Sequence, residues 1–128
     1  MSADRVHVSS DNPMEEVVGY SRAVRVGDHV HVSGTCAVWP DGSVDPDPGA
    51  QARRALEIIG SALAEVGASL DDVVRTRIYL VDAADFGAVA AVHGEVFADI
   101  RPACSGVVVA ALLDGRWKVE IEADAIVG

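Results

Sequence analysis

The stretch DPGAQARRALEIIGSALAEVGASLDDVVRTRIYLVD, residues 47–82, changes its period midway, and that change decides the fold. From Pro48 to Val66 the residues Ala52, Ala55, Leu56, Ile59, Leu63 and Val66 recur three and four apart, which lays one apolar stripe along a helix. Asp47 is placed to cap it, Pro48 suits its first turn and Gly67 its end. In DDVVRTRIYLVD the period drops to two. Val74, Ile78 and Leu80 then point one way and Arg75, Arg77 and Tyr79 the other. Asp82 follows as the cap of a second helix with Phe86, Val89, His93 and Phe97 on one face.

Outward from this stretch, the flanks read as strands. VHVSS alternates weakly, and YSRAVRVGDHVHVSG is a hairpin with its turn at Gly27-Asp28. WPDGSVDPDPG is a loop. SGVVVAALL and WKVEIEADAIV are two further strands joined by a turn at LDGR. The expected order is β-β-β-α-β-α-β-β, an α+β domain over residues 1–128 with both helices on one face of a mixed sheet. In the last strand Val119, Ile121 and Ala123 turn toward the helices, and Lys118, Glu120, Glu122 and Asp124 turn away. That charged, helix-free face is open to water or to another subunit.

Bulk composition narrows the function. At 128 residues with 50% hydrophobic content the chain is one globular domain, and no apolar run is long enough to span a membrane. No signal pattern opens it, so the cytoplasm is expected. A formal charge of −10 opposes nucleic-acid binding. Lys118 is the single lysine, so imine chemistry through a lysine rests on one residue. Cys36 and Cys104 stand far apart without a CxxC, as free thiols do. No GxSxG, HExxH or phosphate-cradling glycine loop occurs, and the reading is cofactor-independent. His29 and His31 share a strand face, a spacing zinc uses, but parity puts Cys36 on the other face and no metal is expected. His93, among apolar neighbours, reads as a hydrogen-bonded core or interface histidine.

Two residues invite chemistry. Cys104 in DIRPACSGVVVAAL is either a pocket-lining filler or a nucleophile, with Arg101 three residues away and Arg77 on a nearby strand to stabilise a thiolate. Arg77 shares its face with Glu120, so it either supplies an anion grip or pairs with Glu122 or Asp124 across an oligomer axis.

The blocks GYSRAVRVGDHVHVSGT, AQARRALEIIGSALAEVGASLDDVVRTRIYLVDAADFGAV, RPACSGVVVAAL and VEIEADAI follow one another in order. Together they resemble the Rid/YjgF reactive-intermediate deaminase family, from about Gly19 to Ile126. The resemblance implies a chorismate-mutase-like fold, a homotrimer with sites at the subunit clefts, and hydrolysis of small enamine or imine substrates. The family's aromatic near the end of the second strand matches Tyr20, and its Ser-Gly step matches Ser33 and Gly34, with Thr35 following. The first glutamate of its E-I-E motif, which holds or activates water, matches Glu120, with a salt bridge to Lys118 or Arg75 as the plainer role. Cys104 stands where the family carries an arginine that grips a substrate carboxylate. A thiol offers no charged planar fork, a loss of about 1.5–3 kcal/mol per bond. The expected substrate is therefore not the standard 2-iminoacid, and the alternatives are a non-catalytic small-molecule-binding or regulatory homotrimer, or a tautomerase- or cyclase-type biosynthetic enzyme on the same pocket.

Overall fold

The computed structural model describes residues 4–128. Strand β1 (Arg5–Val8) leads through a short helix α1 (Met14–Val18) into the hairpin β2 (Ala23–Val26) and β3 (His29–Thr35). Helix α2 (Pro48–Glu65), strand β4 (Val73–Leu80), helix α3 (Phe86–Phe97) and strands β5 (Ala103–Val108) and β6 (Val119–Ile126) complete the chain. One six-stranded sheet has the order β1-β2-β3-β6-β4-β5, antiparallel throughout except for the β4–β5 pair. This is the expected mixed α+β architecture, with α1 added.

Local chemistry sets the boundaries. The Asp47 carboxylate accepts from Ala50 N–H at 2.8 Å and starts α2. At its end Ala68 N–H reaches back to Leu63 O, and Gly67 takes the left-handed conformation that permits the reversal. Arg25 Nη1 donates to the carbonyl of Val66 at 2.6 Å, tying the hairpin to that end. The Asp82 side chain accepts from Ala84 N–H and opens the turn that leads into α3.

The core lies between the sheet and α2. Leu56, Ile59 and Leu63 are buried against Val30, Val32, Ile78, Leu80, Ile121 and Ala123. Each such aliphatic side chain contributes about 1.5–3 kcal/mol by leaving water. Helix α3 covers the β4 side, where Thr76 Oγ1 and His93 Nε2 lie 2.9 Å apart. His93 is thus partly buried and hydrogen-bonded within the chain.

Four local expectations change. Val74 is 43% exposed and Val73 takes its place in the core, because the β4–β6 register slips by one residue between Val73 and Arg75. Phe86, at the first turn of α3, is half exposed beside the edge strand, and Val92 is buried with Val89 and Phe97 instead. Strand β5 ends at Val108 rather than running to Leu113. The segment after it is held by Gln51, fully buried, whose Nε2 donates to the carbonyls of Asp45 and Arg116 and whose Oε1 accepts from Lys118 N–H. Finally, α1 was unread: five residues are too few to show a helical period. Among the described residues no helix is long and apolar enough to cross a membrane.

Candidate functional site

The helix-free face carries three rows of polar side chains. Strand β6 supplies Glu120, Glu122 and Asp124, paired in register with Tyr79, Arg77 and Arg75 of β4. Strand β3 supplies His29 and His31, with His31 opposite Asp124. Residues paired across a ladder share a face, so all of these side chains project together.

Most of these charges are satisfied within the chain. Arg77 Nη1 donates to Asp124 Oδ2 at 3.1 Å and lies 3.9 Å from Glu122. Its pairing with these carboxylates therefore needs no second subunit. His31 Nδ1 meets the other Asp124 oxygen at 2.7 Å. The Tyr79 hydroxyl donates to Glu122, and that bond raises its pKa above the usual range. Arg75 Nη1 donates to Ser105 rather than to a carboxylate.

Glu120 is different. No side-chain cation lies within ion-pair distance of it among the described residues, so neither Lys118 nor Arg75 is its partner. Its Oε1 accepts from the Cys36 thiol at 3.2 Å. Its Oε2 lies over Gly34, so close that a Cβ there would collide with it. Burial first, then the charge of Glu120, push the Cys36 thiol far above its usual range.

This meeting depends on a bulge. Val32 pairs with Ala123 and Thr35 with Ile121, so three steps of β3 span two of β6. The extra residue at Ser33-Gly34 reverses the alternation. Thr35 consequently faces the core with no exposed surface, its hydroxyl on Ser33 O, and does not reach the open face as a binding residue. Cys36, which simple parity assigned to the face opposite His29 and His31, instead joins Glu120 on theirs. Ser-Gly after a clean alternation was the available signal, since glycine inside a strand marks such irregularities.

Tyr20 and Ser33 line a cleft of about 440 Å³ on this face with His7, His31, Glu122 and Asp124. Tyr20 precedes β2 rather than closing it, and its N–H bonds Glu15 O at the end of α1. Ser33 Oγ donates to Ser21 O, and Arg22 Nη2 donates to Gly34 O at 2.6 Å, which fixes the bulge. The His29 and His31 rings stack 6.5 Å apart, and no cluster of three metal-ligating side chains forms among the described residues.

Cys104 and Arg101 lie elsewhere. Cys104 pairs in register with Thr76, whose side chain faces the helices, so Cys104 sits exposed on that side of the edge strand. Arg101 stands before β5 at φ +55°, its N–H on Phe97 O, closing α3 where glycine is usual. One chain therefore brings Tyr20, Ser33, Gly34 and Glu120 to one face and leaves Cys104 and Arg101 off it.

Comparison with known proteins gives this arrangement a lineage. Residues 10–127 match the family model described as Endoribonuclease L-PSP. A crystal structure of a YjgF-family member from Mycobacterium tuberculosis is 48% identical, covers 97% of this chain and 100% of that one, and superposes with a TM-score of 0.90. A Rid family protein from Yersinia pestis is 30% identical, covers 97% and 100%, and gives a TM-score of 0.86. The 2-iminobutanoate/2-iminopropanoate deaminase of Mus musculus is 37% identical over 85% of this chain and 82% of its own length. On the family model, these relatives and the shared fold, the chain belongs to the Rid/YjgF family.

Proposed function

We propose that the chain hydrolyses a small imine or enamine without a cofactor, in a pocket closed by neighbouring copies of itself in a homotrimer. The observation that carries this reading is Glu120. It is a half-buried carboxylate on the open face, with no side-chain cation in ion-pair reach among the described residues, and it is seated against the Gly34 backbone. Relatives named as 2-iminobutanoate/2-iminopropanoate deaminases support the reaction class.

With the substrate as its iminium, which an enamine reaches by protonation at carbon, water adds to the C=N carbon as Glu120 takes one of its protons, and a neutral carbinolamine forms. Glu120 returns that proton to nitrogen, and the C–N bond breaks as Glu120 takes the hydroxyl proton and passes it to solvent. Ketone and ammonia leave. Tyr20 and the Ser33-Gly34 backbone shape the pocket wall.

A second chain is required for the remainder. Every residue of the edge strand β5 is exposed in the single chain, including Val107 and Val108. Uncovered edges with apolar side chains call for a partner. Cover by a neighbour brings Cys104 and Arg101 of one copy toward Glu120 of the next. Cys104 then lines the pocket as a neutral residue. Arg77 is committed to Asp124 and offers a substrate carboxylate no free fork, while Arg101 and the cleft-lining Arg5 have no side-chain partner among the described residues.

The test is keto-product release from 2-iminobutyrate and 2-aminoacrylate generated in situ, beside an imine that lacks the carboxylate. We expect the uncharged imine to be preferred, and Glu120→Gln to lower turnover by roughly 10²- to 10⁴-fold. Turnover of 2-iminobutyrate equal to that of an arginine-bearing relative removes the substrate assignment. Full activity in Glu120→Gln removes the mechanism.

A further inference from the structure

The bulge of β3 sets a thiol against Glu120, the one open-face carboxylate of β6 that no cation holds among the described residues, and this pairing has a consequence for catalysis. We infer that Cys36 is a positioning residue for Glu120, fixing the rotation of its carboxylate through a neutral S–H donor. The inference rests on the catalytic reading of Glu120 given above.

Two restraints act on the two oxygens. Oε1 accepts from Cys36 Sγ at 3.2 Å. Oε2 rests on Gly34, where there is no room even for a methyl group. Gly34 is itself immobilised, because its carbonyl accepts from Arg22 Nη2 at 2.6 Å. A carboxylate hydrogen-bonded at one oxygen and packed over a fixed backbone at the other is held near one plane, and a proton carrier is useful only in the right orientation.

A thiol suits this task better than a cation. An arginine or lysine against Oε1 would favour the charged carboxylate and oppose its taking a proton. The thiol is a weak, uncharged donor that orients with far less of that opposition. It also stays protonated. Burial and the Glu120 charge raise it, Asp114 adds to the rise, and the positive Arg22 opposes it without prevailing. A thiol so placed is no nucleophile.

Two experiments test the inference. The first needs no activity. In a Cys104→Ser background, alkylation of Cys36 by iodoacetamide is followed by mass spectrometry. Glu120 is among the causes that hold the thiol protonated, so Glu120→Gln should speed alkylation at fixed pH by roughly tenfold or more, one unit of thiol pKa being a tenfold change in thiolate. An unchanged rate overturns the inference whatever the enzyme does.

The second reads catalysis. Cys36→Val, of similar bulk but with no donor, should lower kcat roughly 10- to 100-fold with little change in KM. Cys36→Ser should restore most of it, and the acid limb of the pH–rate profile should shift in the valine variant alone. Valine and serine variants that behave alike, with wild-type circular dichroism, overturn the positioning role. A Glu120→Gln chain with full turnover but faster alkylation would sink the proposed function while leaving the contact intact.

Discussion

A methyl group added at Gly34 has nowhere to go but into Oε2 of Glu120. Gly34→Ala should therefore displace the carboxylate and lower kcat/KM about as far as Glu120→Gln, roughly 10²-fold or more, while thermal unfolding shifts little. Kinetics and melting of the two variants side by side check this. An alanine variant of normal activity would show that the carboxylate does not work from this seat. His93 makes a second residue-level prediction. Burial lowers its pKa below the usual 6.5. As pH falls through about 6.5, the unfolded chain takes up a proton that the folded chain still refuses, so stability declines there and is greatest above. The urea midpoint of the wild type should drop between about pH 7.5 and 5.5, and His93→Gln, which keeps a partner for Thr76 but cannot titrate, should lose part of that drop. Equal pH dependence in both proteins would refute the assignment. At this scale the sequence made Glu120, Tyr20 and Gly34 legible through pattern and resemblance. Cys36 was hidden because its face depends on counting through an irregular strand.

Elements were read best where one period runs unbroken. The stripe and the caps of α2 appear in the structure as the sequence implied, from Asp47 to Gly67. The alternation of β6 is equally clean, with Val119, Ile121, Ala123 and Ala125 all buried. Misreadings cluster where a ladder slips, at Val73–Arg75 and Val32–Thr35, since alternation carries no mark of an extra residue. Gln51 is hard to read in the sequence for another reason. A lone amide on an apolar helix face looks like an error in the stripe, yet it anchors two loops through three hydrogen bonds. Gln51→Leu should cost about 2–5 kcal/mol by leaving those backbone groups unpaired. Chemical denaturation measures it, and a loss under about 0.5 kcal/mol would mean that water replaces the amide freely.

For the whole molecule, the layer of two helices on one face of a mixed sheet was legible, because two crossover connections leave few other packings. Assembly was not, because a single chain's pattern says that a face is charged without saying what meets it. The exposed β5 edge carries the proposal of a trimer. Val107→Lys, 47% exposed in one chain, should split the assembly in sedimentation experiments and abolish turnover without unfolding the protomer. A trimer that tolerates lysine there would place the interface elsewhere. The extra residue in β3 has a further meaning for how relatives diverge. Removing one codon at Ser33 or Gly34 would leave two steps of β3 against two of β6, with the hydroxyl of Thr35 still inward and the sulfur of Cys36 still outward. What would change is the path of the backbone beneath Glu120, where Gly34 now seats Oε2. A lineage could thus unseat its proton carrier by a loss of length, with no substitution at the carboxylate itself.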